Sequence, residues 1–526
     1  MKKNNIITLL IFVAAFLSSC NDFLNEDPIS TASPNTYWKS KEDADLWTAG
    51  TYDGVQYALR TAFLDWGENR SDNVMAVGTG NTQLKMYNNA IVAGDKDLIP
   101  MNSWQKLYTV ISRCNYGLKY LPVMIQNNVG AGVETYKDYM GQYYGLRALM
   151  YFYSIRVWGR VPIVGDEPVE SLSQVKYLTR SPIDSVKKVI LADLDKCILN
   201  INSTDKKYYF SLGAAYALKA DVHMWFKEYD LAMASILKLE ALNYHKYVTS
   251  TDDWKKIFTD PTTSSEVIFA LHFNQLLDGT AGSSGGIALY MGSSDFGSYY
   301  SISKPLFTEY ANRNHLYGPS VKDVRWVHSF DTLSLNTIPI PTLSTPSALV
   351  AYNPCGKYFP WDASKARAGS NVKGGFTYDL LSRCNAKIPV YRYADIQLLK
   401  AEIYCQKGEY QKALDIVNLI RKRVGFTIEA NMVDFTVDPA SEVLDCILKE
   451  RRLELYGEGK RWFDLIRVSN SSLDYFHKIM DPVMAGRVGS SNFIGDNEGK
   501  VLFPIESTAF AANPGLRGDQ NPPYSE

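Results

Sequence analysis

Leu218-Lys219-Ala220-Asp221-Val222 and Leu399-Lys400-Ala401-Glu402-Ile403 are near copies of each other, 181 positions apart. The same offset lays Glu228-Tyr229 on Glu409-Tyr410 and Ala232 on Ala413. In each copy a small residue sits in one apolar-periodic segment, a turn follows, and a tyrosine and a second small residue open the next segment. Small residues let two helices approach closely, and a tyrosine at the turn packs between them. Both stretches therefore read as helical hairpins of one design. A hairpin of this kind cannot bury its apolar face alone and must stack on others.

Outward from the two copies, apolar residues recur at three-to-four spacing over Trp104 to Ile125, Tyr136 to Val157 and Ile183 to Ile201. The pattern continues over Leu212 to Leu242, Tyr391 to Val424 and Val443 to Val468, as amphipathic helices require. From about Asn243 to Lys387 it fades among Gly-Ser runs such as Gly282-Ser283-Ser284-Gly285-Gly286 and the Pro-rich Ile338 to Pro346. Ala401, Tyr404, Gly408, Tyr410 and Ala413 resemble the tetratricopeptide pattern. The expected fold is mainly α: an α/α superhelix of tetratricopeptide-like hairpins carrying a large loop-rich insertion. The expected division is a helical lobe over 36–242 and 389–470, interrupted by an insertion at 243–388 and closed by an extended C-terminal segment at 471–526.

Composition bounds the function. The chain has 526 residues, 46% hydrophobic, with Lys+Arg 55 against Asp+Glu 56, which excludes wholesale disorder and gives no electrostatic reason to bind nucleic acid. Its abundant aromatics, Tyr 35, Phe 22 and Trp 10, suit both helix packing and wet binding surfaces.

Lys2 and Lys3, the apolar run Ile6 to Leu17, and small Ser18 and Ser19 before Cys20 form a secretory signal. Twelve helical residues reach only about 18 Å, short of the roughly 30 Å hydrocarbon core, so a permanent span is not expected there. Leu17-Ser18-Ser19-Cys20 also resembles a bacterial lipobox, which implies a signal peptide at 1–19, an acylated Cys20 and a tether at 20–35. The other six cysteines form no CxxC pair and no metal-ligand spacing with histidine; Cys355 and Cys384 flank a loop-rich stretch in which they can pair.

With the lipobox and the hairpins together, the chain resembles the SusD/RagB family of Bacteroidetes surface lipoproteins. Cys20-Asn21-Asp22-Phe23-Leu24 followed by Pro28 is similar to the family's mature start. Tyr144-Gly145-Leu146-Arg147-Ala148, running to Trp158-Gly159-Arg160-Val161-Pro162-Ile163, is similar to its early helix and exit. Its most recognisable block is Glu450-Arg451-Arg452-Leu453-Glu454-Leu455 with Glu458-Gly459-Lys460-Arg461-Trp462-Phe463-Asp464-Leu465-Ile466-Arg467. Leu502-Phe503-Pro504-Ile505, Asn513-Pro514 and Gln520-Asn521-Pro522 through Tyr524 resemble its close, with two departures: Glu506 stands where a second proline is common, and Pro523 replaces a usual glycine. The resemblance implies no catalysis. It implies oligosaccharide capture at the outer-membrane surface and delivery to a partner TonB-dependent, SusC-like transporter, with peptides as the cargo of some relatives.

The charged block itself invites an enzymatic reading, since Glu450 and Glu454 lie one helical turn apart. Arg451, Arg452, Lys460, Arg461 and Arg467 surround them, and Glu458–Arg461 and Asp464–Arg467 have ion-pair spacing. Such pairs lower carboxylate pKa values, the wrong direction for a general acid. His223 takes the repeat position of Tyr404 and reads as a packed hairpin residue. No nucleotide, nucleophile-elbow or EF-hand fingerprint is present, and no cofactor or metal is expected.

The positive case is aromatic residues in loops. A pyranose stacks its C–H face on Trp or Tyr while Asp, Asn and Arg take its hydroxyls. Three stretches combine these types: Trp66, Asn69, Arg70, Asp72 and Asn73; Tyr290 and Tyr299 among glycines and serines; and Trp361 with Asp362 and Arg367. Local packing is the competing reading of each. Trp326, in Val324-Arg325-Trp326-Val327, reads as strand-like or buried packing. Three rivals stay open: a peptide-binding relative, a surface glycoside hydrolase with two carboxyl groups in one cleft, and a helical-repeat adaptor for protein partners.

Overall fold

In a computed structural model the described residues are 37–526, apart from 78–80, 97, 99–102, 204, 283–286, 288–290, 292–298, 316–322, 331–354, 363, 365–371, 374–375, 378–379 and 489–497. Among the described residues nine helices build the stack: α1 Lys41–Leu59, α2 Gln105–Gln126, α3 Val133–Trp158, α4 Ile183–Asn200, α5 Leu212–Trp225, α6 Tyr229–Ala241, α7 Tyr393–Gln406, α8 Tyr410–Arg423 and α9 Pro439–Glu454. Each packs on the next in that order, so α6 meets α7 although the insertion separates them in sequence.

The repeat read from sequence is reproduced by the helices. Helix α5 and helix α7 begin and end 181 positions apart, as do the starts of α6 and α8. Ala220, Ala401, Ala232 and Ala413 are all fully buried at the hairpin contacts. Between hairpins, Glu240 accepts hydrogen bonds from Gln397 Nε2 (2.7 Å) and Lys400 Nζ (2.7 Å), and the Tyr391 hydroxyl donates to Asp221 (2.8 Å). His223 is a packed turn residue, with Nδ1 2.8 Å from Glu228. Periodicity passes over α1, whose interior is Thr, Gly and Ala; its start is set by Ser40, which caps the Asp43 N–H.

Among its described residues the insertion holds short helices, such as Thr251–Thr259 and Lys304–His315, and short strands. Strand β1 (Val74–Ala76) pairs antiparallel with β3 (Tyr300–Ile302), and β2 (Val267–Leu271) pairs antiparallel with β6 (Ile388–Arg392). A third two-stranded pair joins β4 (Val372–Lys373) to β5 (Phe376–Thr377). The β2–β6 pair closes the root of the insertion, because β6 runs directly into α7.

Three expectations need correction. Trp326 lies on a short helix, Val324–Ser329, so the strand alternative falls and the buried-packing one holds: Asp323 caps the helix by accepting the Arg325 N–H, and the indole is buried against Phe307 and Phe330. Cys355 and Cys384 are both buried free thiols and do not pair. The C-terminal segment is not extended throughout, since it holds α11 (Asp474–Val488), which packs on α10 (Arg461–Val468).

Candidate functional site

The stretch 64–73 lies where three distant parts of the chain cross. Gly67 presses against the turn after α9 so closely that a Cβ on it would sit 1.8 Å from the Gly459 carbonyl oxygen. Glu68 is fully buried and accepts from Asn73 Nδ2 (2.7 Å) and the N–H groups of Gly457 (3.0 Å) and Gly459 (3.2 Å). Burial pushes its pKa up to about 7 in spite of these donors. Asp72 takes both Arg461 (2.8 Å) and Arg452 (3.1 Å), and those guanidiniums outweigh burial to hold its carboxyl well below the usual range. Asn73 accepts from Arg452 Nε (2.7 Å), and its carbonyl accepts from Ser303 beside β3 (2.7 Å).

These partners decide the role of the first candidate group. The Trp66 ring is 3% exposed and packs edge-on to Trp158 (5.4 Å) and against Tyr153 (5.9 Å). Arg70 donates to Asn89 (2.7 Å) and to the carbonyls of Val501 (3.1 Å) and Lys500 (2.6 Å), with its guanidinium 4.2 Å over Trp462. Asn69 donates to Asp65 (3.0 Å). Trp66, Asn69, Arg70, Asp72 and Asn73 are thus placed as joints between the N-terminal stretch and the C-terminal block, not as a wet platform; no ring face is open there to a sugar.

The other two groups lie at the margins of the insertion. Tyr299 is half-buried, and its carbonyl accepts from Val77 (3.0 Å) at the open end of the β1–β3 pair. Trp361 is half-buried, bridges antiparallel to Phe376, and meets the edge of His328 at 4.9 Å. Asp362 folds over its own turn, accepting from Ser364 N (2.9 Å). Tyr290, Arg367 and Cys20 lie outside the described residues.

Sequence reading missed what supports Trp361. His328 stacks on Trp254 (6.1 Å), and neither of its buried ring nitrogens has a hydrogen-bond partner among the described residues. Burial, reinforced by Lys255, lowers its pKa to about 3. The Lys255 ammonium donates to the carbonyls of His328 (3.4 Å), Gly356 (2.7 Å) and Lys357 (3.1 Å), joining both flanks of 329–355. A lone lysine and a lone histidine in the sequence carry no signal of this arrangement.

The carboxylates of the charged block are all committed to cations. Glu450 takes Arg313 (3.0 Å), Arg325 (2.8 Å) and Arg421 (2.9 Å); Glu454 takes Arg325 (2.9 Å), Arg392 (2.6 Å) and Arg423 (2.5 Å). Those guanidiniums outweigh burial and hold both carboxyls well below their ordinary value, as the sequence reading of structural pairing expects. Asp464–Arg467 forms (2.6 Å), but Glu458–Arg461 does not. Gly457 and Gly459 adopt positive φ and break the helix, so Glu458 turns to Lys357 and Arg392 while Arg461 reaches Asp72.

Two family models match the ends of the chain: one described as the SusD family over residues 373–524, the other as starch-binding associating with outer membrane over 22–224. The chain belongs to the SusD/RagB family. A SusD-like protein of Formosa agariphila is 27% identical, with 99% of each chain covered. A SusD superfamily protein of Bacteroides thetaiotaomicron superposes with a TM-score of 0.68 at 19% identity, covering 93% of this chain and 99% of its own. A laminarin-binding SusD-like protein superposes at 0.65 and 20% identity, covering 92% of this chain and 100% of its own. Neither family model reaches residues 225–372, which contain most of the insertion; the joints at Asp72 and Glu454 fall within the matched ends. Among the described residues no helix of this SusD/RagB member is long and apolar enough to cross a membrane.

Proposed function

We propose that the protein is a lipid-anchored, non-catalytic binding protein of the outer-membrane surface that captures oligosaccharides and passes them to a TonB-dependent, SusC-like transporter. What carries the reading is membership of a family one of whose models is described as starch-binding and outer-membrane-associated, matched from residue 22 onward. The commitment of Glu450, Glu454 and Glu458 to buried cations supports a non-catalytic role, because no carboxyl of that block keeps a proton to donate. Capture belongs to the aromatic margin of the insertion: Trp361, Tyr299 and Tyr290, with Asp362 and Arg367 as hydroxyl partners. Each stack contributes about 0.5–1.5 kcal/mol, and a few together give the weak, reversible binding that hand-over needs. Cys20 supplies the anchor, and the helical stack supplies a broad separable face for the transporter.

The test is a binding screen of the full chain in detergent against starch, laminarin and a mixed peptide pool, with product analysis after long incubation. Saturable polysaccharide binding without shortened products, weakened in Trp361→Ala, is the expected outcome. Peptide binding alone, or release of shorter sugars, overturns it.

A further inference from the structure

A cavity of about 440 Å³ opens on the face remote in sequence from the insertion, between the start of α2, the 162–178 connection and the C-terminal segment. Trp104 and Tyr108 line it, together with Lys176, Glu506, Thr508 and Asn513. Both rings are half-buried, so each keeps exposed area while its other side is fixed: Trp104 against Trp158 (6.0 Å), Tyr108 by its hydroxyl on the Pro162 carbonyl (2.5 Å). The Asn513 amide is consumed locally, donating to Leu178 O (2.8 Å) and accepting from Gly515 N (3.0 Å).

Glu506 is different. The residue is buried, with only 6% of it exposed. Oε1 accepts from Ser103 Oγ (2.7 Å), which fixes the carboxyl plane, but Oε2 is buried with no hydrogen-bond partner among the described residues. A buried carboxylate oxygen left without a donor is costly, so a donor that reaches it removes that penalty. No ion pair to Glu506 or to Lys176 is present among the described residues, although both line this cavity.

We propose that this cavity is a second ligand site that takes one pyranose unit, its C–H face on Trp104 and Tyr108 and a hydroxyl donating to Glu506 Oε2. The volume lies within the roughly 300–1,000 Å³ of small-molecule pockets, and aromatic walls with one unpartnered acceptor and flanking donors (Lys176, Thr508) match a ring that is apolar on its face and polar on its rim. The assignment rests on the carbohydrate reading above but uses none of its residues. On it, the protein holds a glycan at two separated places, and the chain end at residues 503–516 becomes a binding element.

The experiment titrates the full chain in detergent with the methyl glycosides of glucose, galactose, mannose and N-acetylglucosamine, and with glycinamide as an amine control, read by saturation-transfer NMR and calorimetry. Glu506→Pro removes the carboxyl with little strain, because φ is −63° and ψ 145° there. At least one glycoside is expected to bind saturably, about tenfold weaker in Glu506→Pro and about threefold weaker in Glu506→Gln. Circular dichroism checks that each variant is folded. The proposal is overturned if no glycoside binds, if only the amine binds, or if both Glu506 variants bind as the parent does. Polysaccharide binding lost in Trp361→Ala with no glycoside binding sinks this pocket alone; no carbohydrate binding anywhere sinks the general function as well.

Discussion

Lys227 and Gly408 occupy the same place in two hairpins 181 residues apart, and both are left-handed, with φ of 57° and 74°. In each, the following N–H reaches back to close the turn: Glu228 N to His223 O (2.9 Å) and Glu409 N to Tyr404 O (2.8 Å). One copy uses glycine, which adopts this conformation without penalty. The other holds a lysine there and ties its Nζ to the Ser469 carbonyl.

A Cβ at Gly408 would meet nothing within 4 Å, so the cost of Gly408→Ala is backbone strain alone. It should destabilise by about 1–2 kcal/mol, read as a lower urea midpoint. Lys227→Gly removes the strain and the tie together and should shift stability by less than about 1 kcal/mol. An unchanged midpoint in Gly408→Ala would show that the turn is not under this constraint.

The two tryptophans that looked alike in sequence should behave oppositely. Trp66→Ala empties a sealed site and should cost about 3–5 kcal/mol, while the fraction that stays folded keeps its glycan affinity. Trp361→Ala should cost less than half of that and weaken polysaccharide binding at least tenfold. Equal affinity loss in both variants would return Trp66 to the binding surface.

Glu454 faces Arg325, Arg392 and Arg423 with all four groups buried. Glu454→Gln leaves three guanidiniums short of one negative charge and should cost about 3–5 kcal/mol. Because the cluster is sealed from ions, raising the salt concentration should leave that difference nearly unchanged. A penalty that disappears in high salt would place the pair at the surface.

His328 gives a pH signature. Its folded pKa lies near 3 against an ordinary 6.5, so below 6.5 the unfolded chain takes up a proton that the fold refuses. The stability it permits is complete above 6.5 and is lost as pH falls from 6.5 toward 3, by up to about 1.4 kcal/mol per pH unit. His328→Phe keeps the stack with Trp254 and Trp361 and should flatten the acid limb of thermal stability by about one proton. An identical slope in parent and variant would mean the ring is protonated in the fold.

What the sequence made legible was local. A hairpin is specified by small residues, a turn and a tyrosine within about two dozen positions, so copies of it can be recognised without knowing what they stack on. The 64–73 stretch failed as a reading for the opposite reason. Its density of Asp, Asn and Arg looks like a wet loop, but the partners that dry it lie at Arg452, Gly457, Arg461 and Val501, and nothing in the local pattern points to them. Glu458–Arg461 does not form because helical spacing breaks at Gly459, which lies between the two residues with positive φ. Glu506 was visible as an oddity of sequence, yet its meaning needed Trp104 and Tyr108, about four hundred residues away.

The meeting of α6 with α7 has a consequence for how the chain is made. The polypeptide leaves the stack after Ala241 and re-enters it at Tyr393, directly beside the point of departure. During vectorial emergence from the N-terminus, α1 to α6 are complete while the surface meant for α7 stands bare and the Glu266 carboxylate has no guanidinium to meet. Arg392 and Arg423 arrive only after the whole insertion has passed. Joining α6 to α7 is therefore the step between successive helices of the stack with the greatest sequence separation, and its loop-closure cost must be met before the contact stabilises anything.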